Sequence, residues 1–292
     1  MLFGALAFAL MSTLIHGLST TCDWQVIAIA RTFLALTFAA GLATASGASL
    51  VFFRPRVIWI RSIAGSLALM TGFYSFTRLP VADVLTLTNM FPIWVAVLSW
   101  PILGVKPRRP TWLAVLAGVG GVVLIQQGNR LSIPTGEGDG LLRGNTWLVA
   151  ALSSVCSAVA LLGLNRLHRV DARAVVAHFS FVSLLFSIGS FFVFPATKPL
   201  QFSGPTVLML LGVGITGTIG QIFLTKAFAA GDPSRVSVVG LSQVGFGALL
   251  EMIFFDRSFH GLTLLGMGLI VVPSAWLLLH RTHLDLPDSQ LN

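Results

Sequence analysis

Along this chain, apolar residues arrive in long runs and polar residues in short clusters between them. The runs cover 2–19, 25–45, 58–77, 82–103, 111–128, 145–165, 174–194, 206–229, 234–254 and 262–280. A helix needs roughly 20 mostly apolar residues to cross the hydrocarbon of a bilayer. The pattern therefore predicts an all-α integral membrane protein with ten transmembrane helices. The longest polar stretch, 129–144, contains Pro-Thr-Gly-Glu-Gly-Asp-Gly at 134–140 and is expected in water. The polar tail, 281–292, is expected to be disordered.

Composition agrees with this pattern. Of 292 residues, 55% are hydrophobic and only 10% charged. Soluble domains carry about 25% charged residues. So few charges cannot cover a soluble protein of this size. The first run lacks a charged leader segment, which argues against a cleaved signal peptide.

The net charge of +8 would suggest nucleic acid in a soluble protein. Here the positions of the charges give another cause. With the N-terminus in the cytoplasm, the inner loops and their flanks hold Arg54, Arg56, Arg61, Lys106, Arg108, Arg109, Arg166, Arg169, Arg173, Lys226, Arg235 and Arg281. The outer side holds only Arg78, Arg130, Arg143, Lys198 and Arg257. Short cytoplasmic loops of membrane proteins collect Lys and Arg. Both chain ends are thus expected on the cytoplasmic side of the cell membrane, and no nucleic-acid partner is expected. Trp24, Trp59, Trp100, Trp112, Trp147 and Trp276 fall near span ends, as an aromatic belt requires. Trp94 lies deep in the fourth span. Two distant cysteines, Cys22 and Cys156, predict neither a disulfide nor a metal site.

The order of features repeats. Residues 73–84, Phe-Tyr-Ser-Phe-Thr-Arg-Leu-Pro-Val-Ala-Asp-Val, are a span end, a tight turn and a new span. Residues 225–236, Thr-Lys-Ala-Phe-Ala-Ala-Gly-Asp-Pro-Ser-Arg-Val, have the same order. Each is followed by a long apolar span, a charged turn and a Gly-rich span. Five spans per copy is odd, so the second copy must enter the membrane upside down. The expected organisation is a first five-helix repeat at 1–128, the polar loop at 129–144, a second repeat at 145–280 and the tail.

These features resemble the EamA family of the drug/metabolite transporter superfamily. The likeness is carried by 65–84, from Gly65-Ser-Leu-Ala through Tyr74, Arg78 and Pro80 to Asp83-Val84. Pro92, Trp112 with the Gly-rich fifth span, and Gly220-Gln-Ile-Phe-Leu-Thr-Lys-Ala-Phe add to it. The sequence departs from the family where an acid usually follows the fourth and ninth helices: it has Gly104-Val-Lys106 and Phe255-Asp256. The resemblance implies a central cavity lined by helices one, three, four, six, eight and nine. It also implies export or exchange of small metabolites.

Polar groups inside spans are costly, about 2.5–3.5 kcal/mol for a charge at the centre, and they usually face protein or a water-filled cavity. Arg31 lies about seven residues, roughly 10 Å, into the second span. It is either an anchor for an anionic group or a structural clamp. Pro92 disturbs the helix beside Thr88 and Asn89. Transporters place sites at such breaks, and inverted symmetry matches this one to Ser242 and Gln243 in the ninth span. Thr88, Asn89, Trp94, Ser242 and Gln243 are the leading substrate-binding candidates. Gln221, Tyr74 and His16 form a second tier, and Glu251 is the candidate coupling group. No nucleotide loop, zinc-protease motif or nucleophile elbow is found in the sequence, and no cofactor or catalytic residue is expected.

The expected function is therefore secondary transport of a small, amino-acid-like or other anionic or zwitterionic metabolite by alternating access. The alternatives are a membrane-embedded enzyme on lipid-linked substrates, or a channel. The expected partners are the small-molecule substrate, the lipid bilayer and a second copy of the chain in a homodimer.

Overall fold

The structure, a computed structural model, describes residues 1–18, 21–76, 87–107, 109–132, 143–194, 203–255 and 260–279. Eleven helices have both ends among the described residues: α1 Leu2–Leu18, α2 Trp24–Ala45, α3 Val57–Phe76, α4 Phe91–Leu103, α5 Arg109–Ser132, α6 Arg143–Asn165, α7 Ala172–Val193, α8 Gly204–Ala230, α9 Pro233–Gly240, α10 Ser242–Phe255 and α11 Gly261–Leu279. No strand occurs among these residues. A single residue, Leu241, separates α9 from α10, so the two form one interrupted rod, and the rods among the described residues number ten. The expected polar loop starts later than the sequence suggests, because α5 continues to Ser132. Residues 133–142 and the tail from 280 lie outside the described residues.

Four helical stretches are long and apolar enough to span a bilayer by themselves: Trp24–Ala45, Leu148–Asn165, Ala172–Val193 and Gly204–Ala230. Shorter apolar stretches lie in α1, α3, α4, α5 and α11. Helices are forced on such segments, because hydrocarbon offers backbone N–H and C=O groups no other partner. Phe192 is 89% exposed, and Leu113 and Leu148 are each 69% exposed. A bilayer makes that exposure favourable. With the long apolar helices, this marks a membrane-embedded protein.

Polar residues set where the helices start and stop. Asp171, Ser203 and Asp232 accept hydrogen bonds from the backbone N–H groups of Arg173, Thr206 and Arg235 at the starts of α7, α8 and α9. Gly104 ends α4 with φ 74°, a left-handed turn that favours glycine, and its N–H bonds the Trp100 carbonyl at 2.8 Å. Some basic residues assigned to the inner loops have local work as well. Arg166 donates to the Ile102 carbonyl at the end of α4, and Arg173 to the Leu42 carbonyl at the end of α2. A cation is favourable at the negative end of a helix dipole.

The main helix contacts are α3 with α6, α5 with α11, α1 with α8 and α2 with α7, followed by α2 with α8 and α3 with α7. Small residues bring these helices close. Ala39 of α2 packs on Val176 and Ala177 of α7. A Cβ placed on Gly121 of α5 would stand 2.6 Å from the Gly266 carbonyl oxygen of α11.

Polar bonds stitch α3 to its neighbours. Ser62 Oγ and His178 Nδ1 lie 2.8 Å apart, Ser66 Oγ and Ser183 Oγ 2.9 Å apart, and Ser153 Oγ donates to the Ala68 carbonyl at 2.7 Å. Such bonds between spans are worth only about 0.6 kcal/mol on average, because the unfolded chain in the membrane also finds partners. Ser66→Ala and Ser183→Ala are therefore expected to lower stability slightly, with a coupling of about that size in a double-mutant cycle. A coupling above about 2 kcal/mol, read by denaturation in mixed micelles, would contradict this account.

Candidate transport site

The fourth span is disturbed where Pro92 predicts it. Met90 N–H bonds the Leu87 carbonyl at 3.2 Å, and Ile93 N–H bonds the Met90 carbonyl at 3.0 Å. These are i→i−3 bonds, tighter than those of an α-helix. The ninth span has the same pair: Leu241 N–H to Val238 O at 3.0 Å and Val244 N–H to Leu241 O at 2.9 Å. Each of the three residues in the second set stands 151 positions after its counterpart in the first (87 to 238, 90 to 241, 93 to 244). This register differs by three residues from the sequence expectation. By that spacing Val239 and Gly240, rather than Ser242 and Gln243, are the counterparts in sequence of Thr88 and Asn89.

The two tight turns touch. Met90, Phe91 and Ile93 pack with Leu241 and Val244 around Val119 and Ile270. The turn that carries Thr88 and Asn89 is thus packed against the turn that precedes Ser242 and Gln243. Thr88, Asn89 and Gln243 are half-buried. Ser242 is buried, but its hydroxyl donates to the Val239 carbonyl at 2.7 Å and so ties the start of α10 to the end of α9. Trp94 is not enclosed: it is 37% exposed, and Val97, one turn on, is also exposed. Tyr74 belongs elsewhere, with its ring 5.1 Å from that of Phe194 at the end of α7. The side chains of His16 and Glu251 lie outside the described residues.

Arg31 points from α2 into the bundle. A Cβ on Gly217 of α8 would meet its Nε at 3.4 Å and Met11 Sδ at 3.0 Å. Gln221, buried, follows Gly217 by one turn on the same face of α8.

The sequence misplaced Arg61. Assigned to the inner flank of the third span, it is 2% exposed, and its Nε and Nη1 have no hydrogen-bond partner. Its guanidinium carbon lies 3.8 Å from the centroid of the Phe179 ring. His178 also went unnoticed. It is buried, bonded to Ser62 and walled by the rings of Trp59 and Phe52, with centroids 4.7 Å and 5.4 Å away. Arg61 escaped because an Arg four residues into a span ordinarily turns back to the interface. Only packing from α6 and α7 says otherwise.

A helical membrane protein with polar and charged groups gathered inside it is the class these features define. A crystal structure of a protein 22% identical in sequence shares the fold, with a TM-score of 0.79 over 94% of each chain. Among curated proteins, the chain is similar to the pseudopaline exporter CntI of Pseudomonas aeruginosa, at 28% identity over 94% of this chain and 92% of the exporter. It is similar to an uncharacterized transporter of Helicobacter pylori, at 28% identity over 72% of this chain and 69% of that one. It is also similar to human solute carrier family 35 member G1, at 26% identity over 68% of this chain and 55% of the carrier. No family model matches the chain. These relatives are transporters or exporters, not enzymes, and the chain is a transmembrane transport protein.

Proposed function

We propose that this chain is a secondary transporter of the EamA type. In this reading it moves a small anionic or zwitterionic organic metabolite across the cell membrane by alternating access, as an exporter or exchanger. The observation that carries the reading is the pair of tight turns on spans four and nine, alike in hydrogen bonding, 151 residues apart and packed on each other. Interrupted spans at the junction of inverted repeats are where secondary transporters hold their substrates.

The helix contacts support the same reading. If residues 1–128 and 145–280 are equivalent five-span halves, then α1 against α8 corresponds to α6 against α3. Likewise α2 against α8 corresponds to α7 against α3, and α1 against α10 to α6 against α4. Contacts α2–α7 and α5–α11 map onto themselves. The basic inner loops favour cytoplasmic termini. An exporter among the relatives supports outward movement.

Purified full-length protein in liposomes is expected to show saturable counterflow of a labelled amino acid or small organic acid. Asn89→Ala and Gln243→Ala, each removing an amide of hydrogen-bond worth about 0.5–1.5 kcal/mol, are expected to slow it about 3–10-fold with expression unchanged. Unaltered kinetics in both variants would remove these residues from the pocket. Steady single-channel currents in place of saturable flux would remove the transporter reading itself.

A further inference from the structure

Arg61 raises a question that membrane physics makes sharp. An Arg near the end of a span lowers its energy by bending toward the interface and keeping its charge in water. Arg61, in the second turn of α3, does the reverse. Its Nη1 lies 3.2 Å from where a Cβ of Gly65 would stand, one turn further along the helix. Three helices make room for it. Gly65 leaves space for the guanidinium and for Phe179 of α7, whose Cε2 would be only 2.8 Å from that Cβ. Gly163 of α6 leaves space on another side, where a Cβ would stand 3.2 Å from Arg61 Cβ. The next residue along, Ser62, is bonded to His178, the neighbour of Phe179, at 2.8 Å. That bond fixes α3 and α7 to each other at this level. The place is thus shaped around a buried cation.

Its donors outnumber the acceptors around them. The Phe179 ring, with its centroid 3.8 Å from the guanidinium carbon, attracts the charge. A ring face, however, gives an N–H group only a weak partner beside an oxygen lone pair. Among the described residues, only four buried side-chain N or O atoms lack a hydrogen-bond partner, and Nε and Nη1 of Arg61 are two of them. Native proteins pair buried polar groups almost without exception, and buried charges above all. The end of the α3–α7 seam beside Arg61 is covered by one movable ring. Phe52, on the non-helical segment before α3, is 41% exposed. Its centroid lies 5.6 Å from that of Trp59, 5.4 Å from that of His178 and 5.4 Å from that of Phe181. It can withdraw without breaking a helix.

We infer that Arg61 binds the carboxylate of a small organic mono-anion where α3, α6 and α7 meet. The inference rests on the transport reading above, in which the bundle admits a solute. The two oxygens of a carboxylate match the planar guanidinium and can accept a forked pair of N–H bonds. One guanidinium compensates one negative charge. A dicarboxylate or a phosphate dianion would carry a second, uncompensated charge into a medium of low dielectric. The Phe179 ring holds the guanidinium in position whether or not an anion is bound.

The test is the melting temperature of the detergent-purified full chain in sodium salts at fixed ionic strength, with sodium chloride as the baseline. Propionate and butyrate are expected to raise it by about 3–5 °C at saturation. Propionamide, of the same shape without the charge, leaves it unmoved, as do succinate and phosphate. In Arg61→Met the response is lost, and the unliganded variant melts at or above the wild type, since an unpaired buried charge has been replaced by an apolar chain. Should Arg61→Met fail to fold, Arg61→Lys decides: it keeps the charge, loses the fork and needs at least about tenfold more propionate for the same shift. Phe52→Ala removes the cover and no polar group, so it keeps the response. Arg169→Gln, on the exposed loop after α6, also responds like the wild type. Equal shifts with propionamide or succinate, no shift with either monocarboxylate, a full response in Arg61→Met or Arg61→Lys, or its loss in a folded Phe52→Ala would each overturn the site. Liposome flux separates the two proposals. Saturable flux without protection by monocarboxylates leaves the transporter standing and removes the site. Protection that depends on Arg61, without flux of any solute, leaves the site and removes the transporter.

Discussion

Gly121→Leu should abolish the well-folded state, while Gly120→Leu, one position away, should leave it intact. A Cβ on Gly121 would stand 2.6 Å from the Gly266 carbonyl oxygen, 2.8 Å from Ile270 Cγ1 and 3.2 Å from Leu269 Cβ. The first of these is backbone of α11, so no rotamer change relieves the clash. Relief requires separating α5 from α11, one of the most extensive contacts in the bundle. Overpacking of this kind costs about 1–3 kcal/mol and more where the backbone must move, a large share of the few kcal/mol by which proteins are stable. A Cβ on Gly120 meets nothing within 4 Å. Size-exclusion profiles and melting curves in detergent read the difference. Similar behaviour of the two variants would show that α5 and α11 do not meet as described.

Arg31→Met should reduce transport about 10–100-fold, with Arg31→Lys intermediate. Hydrogen bonds to charged groups are worth about 1.5–3 kcal/mol, and each 1.4 kcal/mol is a factor of ten. Methionine fills the chain out to the position of Nε, so the packing of Cγ and Nε beside Gly217 is largely retained. Initial rates of counterflow in liposomes measure the loss, and a melting curve verifies that the fold survives. Wild-type rates in Arg31→Met would assign Arg31 to packing alone.

Much of this architecture could be read from the chain. The apolar runs give the spans, since every helix found lies within or across a predicted run. Pro92 announces the tight turn of the fourth span, because a missing N–H has a local effect. The matching turn at Leu241 is not announced: Pro233 sits harmlessly in the first turn of α9, and 234–254 looks uninterrupted. Its geometry follows from packing against Met90 and Ile93, which no local pattern encodes. The candidate site was legible to the same degree. Thr88, Asn89, Gln243 and Arg31 were identifiable as polar groups inside apolar runs. Arg61 and His178 were not, because their burial depends on Phe179, Gly163 and Trp59, all supplied by tertiary structure. A weak signal for Arg61 existed in Gly65, a residue without a side chain one turn above an arginine. The serines of α7 carried another: Ser180, Ser183, Ser187 and Ser190 are all buried, and together they mark a face turned away from lipid.

The knot formed by Met90, Phe91, Ile93, Leu241 and Val244 has a mechanical consequence. Each tight turn is a weak point at which the rod on either side can tilt, yet the two weak points are glued to each other by an oily contact that no water enters cheaply. Neither rod can swing without its counterpart, so the knot works as a bearing. In the alternating-access reading proposed above, such a bearing couples opening on one side to closing on the other and disfavours a pore open at both ends.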